Sequence, residues 1–165
     1  MKQSLLFFVL FSCFSIARET RFESDSLLKE TVRYALELDS LRIATWHTAN
    51  LIYYQNNIKG DLKKGNKLFL NFLEKARGCN NHPALAKFYL EGADNFYFMK
   101  DQKSALIYYN LTIIEAEKSG DEVFMGVAKL YKGETLSFLG EFSKASQVLQ
   151  EARKFFKKHE IHFTS

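Results

Sequence analysis

The stretch "AKLYKGETLSFLGEFSKASQVLQEA", residues 128–152, decides how this chain folds. Gly133 and Gly140 interrupt a run of good helix formers, although a glycine inside a helix costs about 1 kcal/mol relative to alanine. Two roles offset that cost. Gly133 can face a neighbouring helix at close range, and Gly140 can end its own helix in a left-handed conformation. Phe142, Ala145, Leu149 and Ala152 then form the apolar stripe of a second, antiparallel helix, spaced by three and four. The stretch reads as a helical hairpin with a small-residue seam.

A single hairpin cannot bury its own faces, so copies of it are expected elsewhere in the chain. Forty residues before Gly133, Leu136, Gly140, Phe142, Ala145, Leu149 and Ala152 stand Ala93, Phe96, Lys100, Gln102, Ala105, Tyr109 and Thr112. Forty earlier again stand Tyr53, Asn56, Gly60, Leu62, Gly65, Phe69 and Phe72. A small residue recurs at Gly65, Ala105 and Ala145, and a large apolar one at Phe69, Tyr109 and Leu149. Ala76 and Ala116 also match, with Phe156 in the third copy. Each copy closes on polar, turn-forming residues, at 77–83, 118–122 and 157–162.

This pattern resembles the tetratricopeptide repeat, with a small residue late in helix A, a turn glycine and aromatic, and an alanine early in helix B. The third copy fits best, through Gly133, Gly140, Phe142, Ala145 and Ala152, but lacks the usual early aromatic at Lys129. The second keeps Tyr89, Ala93, Phe96, Ala105 and Tyr109 while Lys100 replaces the turn glycine; the first has Tyr53 where a small residue belongs. The period of forty resembles longer-helix variants of the family. The resemblance implies an all-α fold: a right-handed solenoid of antiparallel helix pairs, three repeats over 46–85, 86–125 and 126–165 within an array at 44–165.

Composition agrees with helices. Pro83 is the sole proline and falls at an inter-repeat loop, where a helix start tolerates it. The sixteen Phe and eight Tyr suit packing between helices. No period-two alternation persists.

Residues 1–17, "MKQSLLFFVLFSCFSIA", have another character. One lysine precedes an uncharged run from Leu5 to Phe14, and Ser15 and Ala17 supply the small residues of a cleavage site, so the segment reads as a secretory signal with a mature start at Arg18. The run is too short to span a bilayer comfortably. Processing at Cys13 as a lipoprotein is the competing route. Either route places the mature chain outside the cytoplasm, periplasmic or secreted. Removal of the signal leaves Cys79 as the only cysteine, so no intramolecular disulfide is expected; an unpaired thiol is favoured over pairing between chains.

Residues 18–43 form an entry region. Ser24 or Asp25 can cap a helix whose apolar face is Leu27, Leu28, Val32, Ala35 and Leu38, equivalent to the second helix of a repeat. The other end shows no such cap. Phe155, Phe156, Ile161 and Phe163 are expected to lie bare there, which points to a longer array or to self-association through that end. The nearby Arg153, Lys154, Lys157 and Lys158 complement the helix dipole.

Catalytic motifs fail on spacing. His159 and His162 are three apart, where a zinc-protease helix needs four, and Asn66 fills the lysine slot of the phosphate-loop imitation at 60–67. Glu115 and Glu117, near Lys118, read as solvated outer-helix charges. The sequon Asn110–Thr112 lies in mid-helix. A net charge of +4 with interspersed signs argues against nucleic acid. No enzyme activity, cofactor or metal is expected, and no membrane span in the mature chain.

The family resemblance implies a concave groove lined by the A helices, for a peptide or protein ligand. Its groove-facing pattern falls on His47, Asn50, Tyr54 and Asn57, on Lys87, Leu90, Asp94 and Tyr97, and on Val127, Leu130, Glu134 and Ser137. Tyr54 and Leu90 stand where a carboxylate clamp would need polar residues, so an extended segment held by hydrogen bonds and aromatic contact is expected. The alternative is a sensory input region, or a fragment, of a bacterial sensor kinase or transcriptional regulator, because repeats after an export signal resemble extracytoplasmic portions of such proteins. In proteins of that kind a membrane helix and a cytoplasmic output domain follow the repeats.

Overall fold

A computed structural model describes residues 25–158, which are helical almost throughout and contain no strand. The elements are α1 (25–37), α2 (Leu41–Tyr53) running into a π-helical segment (Tyr54–Lys59), α3 (Leu62–Arg77), α4 (His82–Phe98), α5 (Gln102–Ser119), α6 (Glu122–Phe138) and α7 (Phe142–Lys158). The expected signal at 1–17, Cys13, the start at Arg18, Ser24, and the tail residues His159, Ile161, His162 and Phe163 lie outside the described residues.

Short polar side chains start these helices. Asp61, Asn81 and Asp101 each accept a bond from the backbone N–H three residues on, and Asp121 accepts from Val123 and Phe124. Pro83 sits in the first turn of α4, where its missing N–H costs nothing. Left-handed residues end them: Gly60 (φ 68°), Lys100 (φ 66°) and Gly140 (φ 78°) occupy the same place at forty-residue intervals. The strained lysine is held because Asp101 N–H donates to the Phe96 carbonyl at 2.9 Å, as Glu141 N–H does to Leu136.

α2 with its π-helical extension carries one residue more than α4 or α6 does before the left-handed stop. Residues 41–59 fill the space between cap and left-handed stop that 82–99 and 122–139 fill with one fewer. The π-helical turn absorbs the insertion. Accordingly Asp61 N–H reaches the Gln55 carbonyl, six residues back, at 2.8 Å.

Glycines set the closest approaches. A Cβ on Gly92 would enter the Phe69 ring, one on Gly126 would enter Phe155, and one on Gly133 would lie 2.5 Å from Leu149. The expected close approach at Gly133 is therefore present, but the side chain it admits is Leu149, one turn beyond Ala145. The contacts Gly126–Phe155 and Gly133–Leu149 and the ion pair Glu122–Lys158 show α7 antiparallel to α6.

Phe69 is fully buried and stacks on Phe88 at 4.8 Å, with Phe96 and Tyr108 edge-on at 5.9 and 4.7 Å. Phe96 and Tyr108 also pack on a second cluster around Leu90, Ala105, Tyr109 and Ala128, so apolar packing continues from α1 to α6. Each buried aromatic ring contributes about 2–3 kcal/mol of transfer free energy.

Several expectations need correction. Leu27 and Leu38 are 66% and 79% exposed, and the packed face of α1 is Val32, Ala35 and Leu36. Phe142 is 71% exposed and does not belong to the α7 stripe, whose buried members are Ala145, Ala152 and Phe156. Phe156 is buried and Phe155 packs over Gly126, so neither lies bare at the end of the array. Unit boundaries at 85/86 and 125/126 fall inside α4 and α6; the turns come about one helical turn earlier. Cys79, by contrast, is a free thiol as the sequence favoured, and it is buried.

Candidate binding surface

α2 and α4 run side by side in one direction, joined where Asn95 Nδ2 donates to Asn56 Oδ1 (2.7 Å) and where Lys87 Nζ lies 4.8 Å from the Trp46 ring centre. α6 continues this order. His82–Glu115 and Asp94–Tyr109 contacts set α5 antiparallel to α4, and the short turn after Ser119, with Tyr109 stacked on Tyr131, sets α6 antiparallel to α5. Tyr97 joins α4 to α6: its hydroxyl donates to Glu134 at 3.2 Å and its ring meets Tyr131 and Phe138 at 6.0 and 5.9 Å. These contacts bring together one long stripe from three helices.

The expected groove residues divide in three. Lys87, Tyr97 and Glu134 belong to the connected stripe, and Asp94 lies beneath it, where it accepts from the Tyr109 hydroxyl of α5. Tyr54 and Leu90 are buried, at 8% and 7% exposure, and serve the core; Asn57 is exposed and donates to the Tyr53 carbonyl. His47, Asn50, Val127, Leu130 and Ser137 are half-buried, and the Ser137 hydroxyl donates back to the Gly133 carbonyl. His47 and Asn50 come from counting back forty through the π-helical insertion, which displaces the register by one. It is Trp46, not His47, that stands over Lys87.

Beneath the stripe lies an acid pair. Glu91 is buried, its Oε2 has no protein partner, and burial followed by the neighbouring Asp94 charge pushes its carboxyl up to about 8, against the easing effect of Lys87. Asp94 is raised by burial to about 6, although the Tyr109 hydroxyl donates to it at 2.7 Å. Tyr109 in turn stacks on Tyr131, and burial raises its own hydroxyl far above the ordinary range. At neutral pH the pair therefore carries much less than two negative charges. Asp94 acts as an acceptor that positions Tyr109.

Sequence reasoning missed Trp46, Glu91 and Tyr131. Trp46 is the only tryptophan, and the one-residue mismatch between caps would have placed it. Glu91, within the otherwise apolar "FYLEGA", was a visible signal of a buried acid.

A second depression, of about 530 Å³, opens between α5 and α7 over α6. Leu106, Ile113, Leu136 and Val148 supply its apolar lining, and Lys129 bridges to Glu151 at 2.9 Å across its edge, holding that carboxyl below its ordinary range. Forty residues earlier the same positions hold Phe96 and Tyr108, stacked at 5.5 Å, which fill the equivalent space. Glu115, expected as a solvated charge, is instead buried. Burial raises its carboxyl, but bonds from Lys118 (2.8 Å) and His82 (2.7 Å) outweigh this and hold it low.

Among the described residues no His, Cys, Asp and Glu cluster suits a metal, and no helix is long and apolar enough to cross a membrane. No family model matches the chain, and no curated protein is significantly similar to it.

Proposed function

We propose that this chain is a non-catalytic scaffold of tetratricopeptide type, a right-handed solenoid of helix pairs, that holds an extended polypeptide segment along the stripe of α2, α4 and α6. The observation that carries this reading is the stripe itself. Trp46, Lys87, Tyr97, Tyr131 and Glu134 come from three helices that lie in register, all remain at least partly exposed, and together they offer ring faces, one cation and one anion. An extended peptide needs such alternating apolar and polar anchors, and a preformed surface lowers the ordering cost of binding.

Export through residues 1–17 completes the proposal and rests on the uncharged run from Leu5 to Phe14. N-terminal sequencing after expression with its leader checks that part, with Arg18 the expected first residue. For the binding reading, purified chain is titrated over an array of extended peptides. Replacing Trp46, Lys87 and Tyr97 together by alanine is expected to lower affinity for retained peptides at least tenfold with unchanged helical circular dichroism. Equal retention by this variant places the peptide elsewhere and ends the reading.

A further inference from the structure

The turns joining α2 to α3, α4 to α5 and α6 to α7 all lie at one end of the helices, because α2, α4 and α6 run in one direction. Turns of this kind are ordinarily polar. Here Ile58, Phe98 and Phe138, at the same place in each unit and forty residues apart, are 43%, 46% and 65% exposed. Met99 and Phe142 add 41% and 71% exposed side chains to the same edge. Phe98 and Phe138 both lean on Tyr97, at 5.6 and 5.9 Å, so the row is continuous between the second and third turns.

Lysines flank the row. Lys59, Lys63, Lys100 and Lys103 are exposed in the first two turns, and Lys144 in the third. The acids among them are fewer, and each is engaged within the chain, although Asp61 and Asp101 remain exposed. Asp61 and Asp101 accept backbone N–H groups at the starts of α3 and α5, where the positive end of the helix offsets their charge. Glu141 pairs with Lys144, and Asp25 with Lys29 and Lys64. The edge therefore presents apolar tips within a surplus of unpaired positive charge. At the opposite end Asn81 and Asp121 cap their helices in the same way, Asp39 and Asn80 are exposed, and the exposed apolar side chains in the turns are the aliphatic Leu38 and Val123.

We infer that this edge docks on an anionic lipid surface, with Phe98, Phe138 and Phe142 entering the boundary between headgroups and acyl chains. Such seating combines shallow apolar insertion with attraction of nearby lysines to acidic headgroups. Long lysine side chains keep their ammonium groups in the headgroup layer while the rings go deeper. A second copy is a poor occupant, because a self-complementary contact would set the lysine rows against one another. A peptide strand is also a poor occupant, because the turn N–H groups at Asp61, Asp101 and Glu141 are already bonded within the chain.

The test uses the full chain and co-sedimentation with vesicles, either pure phosphatidylcholine or one-third phosphatidylglycerol. Any binding through the apolar run at Leu5–Phe14 appears on both vesicle types, so the ratio between them reports on the edge. Wild type is expected to partition at least tenfold more strongly onto the anionic vesicles, and to lose that preference in 0.5 M salt. The Phe98→Ser, Phe138→Ser, Phe142→Ser variant and, separately, the Lys63→Glu, Lys100→Glu, Lys103→Glu variant are both expected to bring the ratio near one. Circular dichroism is expected to be unchanged, since these side chains are exposed. A wild-type ratio near one overturns the inference, and so does a phenylalanine variant that keeps the wild-type ratio. Sedimentation velocity without lipid supplies a further check. Self-association of wild type that the phenylalanine variant abolishes would make a second copy the occupant and overturn the inference as well.

Discussion

Asn95 Nδ2 donates to Asn56 Oδ1 at 2.7 Å and to the Leu62 carbonyl at 2.8 Å, so one buried amide ties α4 to the π-helical segment that ends α2 and to the start of α3. Gly65 lies against this junction, and a Cβ there would collide with Asn56 Oδ1. A buried polar pair in low dielectric is costly to break, because each group left unpaired loses about 1–3 kcal/mol. Asn95→Ala and Gly65→Ala are each expected to destabilise the fold by at least about 2 kcal/mol in urea denaturation. A loss below about 0.5 kcal/mol for either, on the order of an ordinary surface change, would mean that the junction contributes little.

Lys100 stands in a left-handed conformation, φ 66°, where the other two units use Gly60 and Gly140. A side chain there costs about 1 kcal/mol relative to glycine. Lys100→Gly is therefore expected to raise stability by about 0.5–1 kcal/mol, and Gly140→Ala to lower it by about 1 kcal/mol. Neither change meets a steric neighbour, since nothing lies within 4 Å of a Cβ on Gly140. Denaturant midpoints of the two variants should move in opposite directions. A destabilised Lys100→Gly would show that the lysine makes a contact stronger than its backbone strain.

The forty-residue spacing was legible because hairpin ends, caps and small residues all recur with it. Gly133 and Gly140 each have the role their place in the period requires. What escaped was local. One inserted residue, absorbed by a π-helical turn, moved His47 and Asn50 off the stripe and brought Trp46 onto it. Periodicity also cannot rank apolar residues by exposure. Phe142 and Phe156 both fit a helical stripe, yet Phe142 stands at a turn beyond the reach of α6 while Phe156 is buried. The polarity of a face follows from which neighbours reach it, and a repeat pattern alone does not record that.

α7 offers a direct test of this difference. Ala145 is 2% exposed at the base of the hairpin, whereas Phe142, less than one turn away, is 71% exposed. Ala145→Leu is expected to overpack the crossing by about 1–3 kcal/mol. Phe142→Ala should stay within about 0.5 kcal/mol of wild type. Thermal melts distinguish them. Equal midpoints for the two variants would mean that the small-residue seam is not tightly packed.

The acid pair makes stability depend on pH. Glu91, pushed up to about 8, and Asp94, raised to about 6, keep their protons in the folded chain at pH values where the unfolded chain has lost them. The folded state then binds more protons than the unfolded state, so stability falls as pH rises from about 4.5 through 8. Asp25, Glu115 and Glu151 are held below their ordinary values and act in the opposite sense, losing stability only as pH drops below about 4.5. A stability maximum near pH 5 is the expected result. Glu91→Gln keeps the shape of the buried group and removes its ionisation, so it should match wild type at pH 5. At pH 8 it should exceed wild type by on the order of 4 kcal/mol, since the proton affinities of the folded and unfolded chain differ by about three tenfold steps at that pH and each step corresponds to about 1.4 kcal/mol. Urea midpoints for both proteins at the two pH values decide the matter. A wild-type midpoint as high at pH 8 as at pH 5 would mean that Glu91 ionises without penalty, through solvent or through Lys87.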